Sequence, residues 1–378
     1  MRGRVSRSIS QALGRNVQIG AVHLQFLPRP GFELDDLVVF DDPHFGAEPL
    51  LRAANVTASL RLRSLLRGRL EISALSLSDA SVNLTRGAQG KWNAEDLIDR
   101  TSHSSLAPTS ATSSGSSPSF PYIEASRARI NFKLGTEKTH FALNDAEFAF
   151  WQESANTWGG RLQARPIRTD SNLTDTGVIN VSGLWRRSAS VHQTPLQVSF
   201  AWKQAQLGQL SHLIYGTDKD WRGGVVLSGS VVGTPEHLRS TADISVSDFR
   251  RQDIIGGGTL NLATHCTGEY DAPNRALSNL DCESSSGNGL LQIKGGATGI
   301  LANGKLLSTS NLWFIATRVP AEAIVLFARH AGASLPADLQ ANGDANLSVQ
   351  IMRDGPVQPM TYLADGSLED ITLANSDG

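Results

Sequence analysis

The most chemistry-like stretch is Gly299-Ile300-Leu301-Ala302-Asn303-Gly304-Lys305, which has the spacing of a phosphate-binding loop. The next residue is Leu306, where Ser or Thr must hold magnesium, so the pattern argues against nucleotide binding. Its flanks read as strand–turn–strand, with Asn303-Gly304 as a hairpin turn. Asp41-Asp42-Pro43-His44 offers oxygen and imidazole ligands for a cation, but it reads better as a polar turn bent by Pro43. A glycosidase needs two carboxylates facing across a cleft. Asp35-Asp36 and Glu369-Asp370 are the acidic pairs on offer, and solvated turn positions are the expectation for both. Trp185 before Arg186-Arg187 suggests an aromatic–basic ligand site, although a strand end with a basic tail explains it more simply. There is no G-x-S-x-G elbow. The nine histidines lack metal-ligand spacing. The expectation is a chain that is not an enzyme, with no catalytic residue, no metal and no cofactor.

Cys266 and Cys282 are the two cysteines. Midway between them lies the turn sequence Ala272-Pro273-Asn274-Arg275. If the flanks form a hairpin, the two residues face each other, close enough for a disulfide when the pair is not hydrogen-bonded. Two free thiols on opposite strands are the alternative.

The elements around these residues are strands. Of 378 residues, 40% are apolar and 35 are Gly, and the formal net charge is -2. A nucleic-acid binder would carry a basic domain or stripe, and none is seen. No apolar run is long enough to span a bilayer, and the N-terminus MRGRVSRSIS lacks a signal-peptide core. Arg2 to Gly14 reads as a helix with Val5, Ile9 and Leu13 on one side and arginines around it. Such a basic amphipathic helix lies on a membrane surface or packs on a sheet, and the sequence leaves both open.

Alternating segments follow. Val22, Leu24 and Phe26 share one parity, as do Leu60 and Leu62. Leu70 and Ile72 take one parity, Leu75 and Leu77 the other, and Val82 and Leu84 return to the first. A parity flip inside a strand marks a bulge or a turn, and bulges bend a sheet. From Thr101 to Ser119, 12 of 19 residues are Ser or Thr, which predicts a disordered linker or long loop over 101–119. Strand patterns resume with Ile130, Phe132; Phe148, Phe150; Val198, Phe200, Trp202; and Ala242, Ile244, Val246. Helices are predicted over Gln204–Tyr215, closed by Gly216, and over Pro320–Ala331, closed by Gly332. They are too few for βαβ architecture. The expected fold is mainly β: a long, curved, antiparallel sheet forming an open groove, with an N-terminal helix and a few short covering helices.

Several landmarks recur in order: Leu13-Gly14-Arg15, Pro28-Arg29-Pro30-Gly31, Leu65-Leu66-Arg67-Gly68 and Gly90-Lys91-Trp92-Asn93. Together they make Ala12 to Ile98 resemble the N-terminal region of the AsmA family of bacterial envelope proteins. Leu184 to Arg251, with Trp221-Arg222-Gly223 and Gly233-Thr234-Pro235, is similar to the middle region of some members. The resemblance implies a chorein-like module over 1–100 and a β-groove region over 120–378. It also implies a periplasmic location, an oxidising setting that favours the disulfide. Members begin with one membrane-spanning helix. The expectation is therefore a protein held at the inner membrane by a segment missing from this start; a genuine start would mean a cytoplasmic one. The C-terminal segment from Gly366-Ser367-Leu368 reads as a strand beginning, so that end is expected to be cut as well.

The family is related to bridge-like lipid transporters. The implied function is non-enzymatic phospholipid binding or transfer along an apolar groove, in outer-membrane assembly or lipid transport, with the inner membrane surface as a partner and no nucleic acid. The groove-lining candidates are Val22, Leu24, Phe26, Ile130, Phe132, Phe148, Phe150, Val198 and Phe200. The same alternation also suits a closed structural or adhesive sandwich that binds no lipid. A carbohydrate-active enzyme on a β-scaffold is the third reading, mildly permitted by the seven Trp residues.

Overall fold

Alternating apolar and polar residues, punctuated by Gly, Asn and Asp, dictate strands with one greasy and one wet face. The computed structural model describes residues 2–25, 30–61, 72–87, 90–95, 121–135, 137–154, 156–188, 190–253, 258–299, 309–330, 332–355 and 357–375. The expected linker over 101–119, the Asn303-Gly304 turn and Phe26 lie outside the described residues. The eighteen described strands are hydrogen-bonded in one mainly antiparallel sheet. The chain divides into two units.

Unit 1 holds 1–173 and 178–194. It starts with α1 (Arg2–Leu13), closed by Gly14 at φ 62°. The strands are β1 (Val17–Gln18), β2 (Ala21–Gln25), β3 (Gly31–Phe40), β4 (Pro49–Leu60), β5 (Ile72–Arg86), β6 (Tyr122–Leu134), β7 (Glu137–Ser154), β8 (Thr157–Arg168) and β9 (Thr176–Arg186), the last beginning in unit 2. From β3 onward each strand pairs with the next in chain order, while β1 and β2 both pair with β3. One ladder departs from the antiparallel expectation: β5 and β6 are parallel. A parallel pair needs a crossover, and the long connection from Arg86 to Tyr122 makes one.

Unit 2 holds 174–177 and 195–378. Its elements are β10 (Leu196–Gln206), α2 (Leu207–Tyr215), β11 (Trp221–Thr234), β12 (His237–Arg251), β13 (Leu260–Asp271), β14 (Ala276–Ser286), β15 (Gly289–Thr298), β16 (Thr309–Pro320), α3 (Ala321–His330), β17 (Gln340–Arg353) and β18 (Thr361–Ala374). These strands form an antiparallel meander. Gly216 closes α2 in the left-handed region, its N–H donating to the His212 carbonyl at 2.8 Å. Gly332 (φ 96°) follows α3, with Glu322 in the first turn and Arg329 and His330 in the last, in accord with the helix dipole.

The parity flips are bulges. In unit 1, Asp36, Asp79, Arg127 and Asp145 have φ between 48° and 53° and sit on β3, β5, β6 and β7. The residue after each bulge points inward and is small or aliphatic: Leu37 pairs with Ala53, Ala53 with Ala80, and Ala128 with Ala146. The alanines of these three pairs are only 0–2% exposed. Bulges bend strands and tighten their twist. Aligned across neighbouring strands, they form a crease whose floor admits only short side chains. Unit 2 repeats the device with Gln204, Asp248, Arg318 and Asp370 at positive φ, joined by Gly223 and Gly343. At Gly343 an added Cβ would fall 2.4 Å from the Asp370 carbonyl oxygen, so glycine is required there.

Candidate functional site

The inward faces are the candidate site, because register stacks their apolar side chains into rows across the strands. In unit 1 one row is Val22–Leu34–Val56–Leu77–Ala125–Phe148–Leu162–Val181. Beyond the crease a second runs Val17–Val39–Leu51–Val82–Ile130–Leu143–Pro166. Leu34, Val56 and Val39 are 2–3% exposed and belong to one core cluster. Val5, Ile9 and Leu13 of α1 pack on it, so the apolar side of this helix faces the sheet. Ser10 Oγ accepts the Val17 N–H at 3.0 Å and fixes the helix against β1.

Unit 2 has equivalent rows with a different exposure. One runs Phe200–Gly229–Ala242–Cys266–Cys282–Ile293–Phe314–Val349–Ala364. Beside it runs Trp202–Leu227–Ile244–Thr264–Ser284–Leu291–Ala316–Leu347. Phe314 and Leu347 are about two-fifths exposed. Burial of apolar residues in this unit is concentrated at the bends and helices, as at Ala205, Val319 and Leu213. The opposite face of the same strands is polar: Ser228–Asp243–His265–Glu283–Gln292 form one row, with His265 Nδ1 2.7 Å from Asp243 Oδ1. Cys266 and Cys282 form a disulfide across a directly facing pair, Cα–Cα 4.0 Å, and lie in the apolar row.

The residues singled out in the sequence divide between these faces. Val22, Ile130, Phe132 and Phe148 come together in the unit 1 cluster. Leu24 faces Phe32 in register and is 54% exposed. Phe150 stacks on Trp158 and Trp185, at 5.3 and 5.4 Å between ring centroids. Trp185 therefore belongs to the inward side. Val198 and Phe200 lie in unit 2, both half-buried. The acidic pairs are not turns. Asp36 and Asp370 are bulge residues, while Asp35 meets His23 Nε2 at 2.9 Å and Glu369 accepts from Asn346 at 3.2 Å.

Asp41-Asp42-Pro43-His44 serves a structural purpose that sequence reasoning missed. Pro43–Phe45 is a turn of 3₁₀ helix capped by Asp42, whose Oδ1 accepts from the His44 backbone at 3.1 Å and from Nδ1 at 2.6 Å. These His44 contacts hold the Asp42 carboxyl below its usual range. The cation beside Asp41 and Asp42 is Arg15, with contacts of 3.8 and 3.2 Å; its side chain and that of Asp41 are each 3% exposed. Asn93, fully buried, donates to Asp41 Oδ2 at 2.5 Å and to the Asn83 carbonyl at 2.9 Å, and accepts the Thr85 N–H at 3.1 Å. Leu13-Gly14-Arg15 and Gly90-Lys91-Trp92-Asn93 thus meet at one buried polar knot joining α1, the end of β3 and β5. The landmarks at 28–29 and 65–68 lie outside the described residues. With two of the landmarks joined through Asp41, the match to known sequences takes on a structural meaning. Residues 1–148 match the sequence model of the AsmA family. Over this region the chain is similar to the AsmA family. No curated protein and no solved structure matches the chain. The AsmA region thus covers α1, the polar knot, the unit 1 crease and the first part of β7. No described helix is long and apolar enough to cross a membrane.

Proposed function

We propose that this chain is a non-enzymatic lipid carrier of the bacterial cell envelope. It acts in the periplasm, held at the inner membrane, in outer-membrane assembly or phospholipid transport. The observation that carries the reading is the pair of apolar rows in unit 2, in register from β10 to β17 and incompletely covered. A hydrocarbon chain laid along such a row gains about 0.8 kcal/mol per buried CH₂. Conduction needs no reacting group, only a uniform apolar path with weak, repeated sites. The polar row on the opposite face keeps that side in water. Unit 1 suits the anchoring end, because its own side chains already fill its crease.

Site-specific photocrosslinking tests the reading. A benzoylphenylalanine at Phe314 or Ile293, on the apolar row, is expected to capture phospholipid in living cells. The same probe at Trp313 or Gln292, one residue away on the other face, is expected to capture none. Equal labelling of both faces, or of neither, overturns it. Unlabelled rows together with a full outer-membrane role would favour a purely structural β-protein.

A further inference from the structure

The polar face of unit 1 carries an aromatic shelf that packing of the inward face does not require. Tyr122 and Trp151 point away from the crease, since their neighbours Ile123 and Phe150 form an inward-facing pair. The two rings stack with centroids 6.2 Å apart and planes 26° from parallel. Gly159 lies opposite Trp151 in register, and a Cβ there would come within 2.5 Å of the indole. The indole therefore lies flat on bare backbone, where a side chain would tilt it. Its Nε1–H donates to Glu153 Oε2 at 2.8 Å, which fixes the ring's rotation. Arg161 donates from Nη2 to the Tyr122 hydroxyl at 3.2 Å. Ser73, Tyr122, Trp151, Gln152 and Arg161 line a recess of about 440 Å³.

A flat aromatic surface edged by a guanidinium, a carboxylate and a hydroxyl has a specific complement. One face of a pyranose ring presents C–H groups, which pack on the electron-rich face of an indole. Its equatorial hydroxyls reach outward in the ring plane, toward groups placed as Arg161 and Glu153 are. A quaternary ammonium is disfavoured by the cationic Arg161, and an acyl chain by the charged edges. We propose that Tyr122, Trp151 and Arg161 bind a sugar ring of a neutral glycan, on the face opposite the apolar rows and independently of lipid.

The test titrates cellohexaose and chitohexaose into the full chain, with adenosine as a third probe, followed by calorimetry and tryptophan emission. At least one oligosaccharide is expected to bind saturably. Trp151→Ala is expected to weaken it about tenfold or more, equivalent to ~1.4 kcal/mol. Gly159→Val, which displaces the indole, and Arg161→Gln are expected to weaken it several-fold. Circular dichroism of each variant reports folding. Should Trp151→Ala or Gly159→Val unfold the chain, Arg161→Gln decides, because its exposed side chain supports no core contact. Saturable binding of neither oligosaccharide, adenosine bound in their place, or a folded variant with unchanged affinity overturns the proposal.

Discussion

Units 1 and 2 share strands, bulges and apolar rows, but the described rows of unit 1 are the more deeply buried. There Leu34, Val56 and Val39 sit almost fully buried beside a floor of alanines, and α1 adds Val5, Ile9 and Leu13. In unit 2, Phe314 and Leu347 of the apolar rows stay two-fifths exposed. Alternation alone therefore does not decide between a core and a binding surface. What decides is whether another element covers the apolar face. Unit 1 is stabilised by its own interior, whereas unit 2 keeps part of its apolar face exposed.

The sharpest way to break this comparison places one charge in each unit. Val56→Asp buries an unpaired carboxylate and is expected to cost about 4 kcal/mol or more of unit 1 stability. Leu347→Asp, at an exposed position, is expected to cost about 1 kcal/mol or less while removing bound lipid. Hydrogen exchange resolved by unit checks both, and equal losses would erase the distinction. Asp41→Ala comes next. It removes one of the two carboxylates at the buried Arg15 guanidinium and an acceptor of Asn93, and is expected to cost ~3 kcal/mol in unit 1, read as loss of protection in α1 and β3. The disulfide sharpens the comparison from the other side. Its cysteines are 16 residues apart. Replacing both with Ser is expected to cost ~3 kcal/mol by loop entropy, seen in β13 and β14 and not in unit 1. The smallest effect is one of pH. The Arg168 guanidinium holds Asp170 in unit 1 at about 2, below the usual carboxylate value. A depressed acid stabilises the fold above its unfolded pKa. That contribution is fully present above about pH 4 and is lost as pH falls through about 2. Acid unfolding of Asp170→Asn is expected to lack this step in a carboxyl NMR titration.

Much of this fold was legible in the sequence because strand periodicity is local. The change of parity between Leu77 and Val82 marks the Asp79 bulge. The turn at Ala272–Arg275 makes the hairpin, and a bulge at Asn279 shifts its register by one residue so that Cys266 faces Cys282. Other features were not legible because they join distant residues. The parallel pairing of β5 with β6 depends on where a long connection returns. The polar turn at Asp41-Asp42-Pro43-His44 was legible, but the contact of Asn93 with Asp41 spans 52 positions, so the buried knot around Asp41 was not. The shelf of Tyr122 and Trp151 became visible only when register placed Gly159 beneath the indole.

Native mass spectrometry of the full chain purified from membranes tests the lipid account most directly. The account predicts phospholipid-sized adducts on the wild type. They should disappear in Leu347→Asp and persist in Gln292→Asp on the opposite face. A wild-type chain carrying no lipid, or adducts that survive Leu347→Asp unchanged, would contradict it.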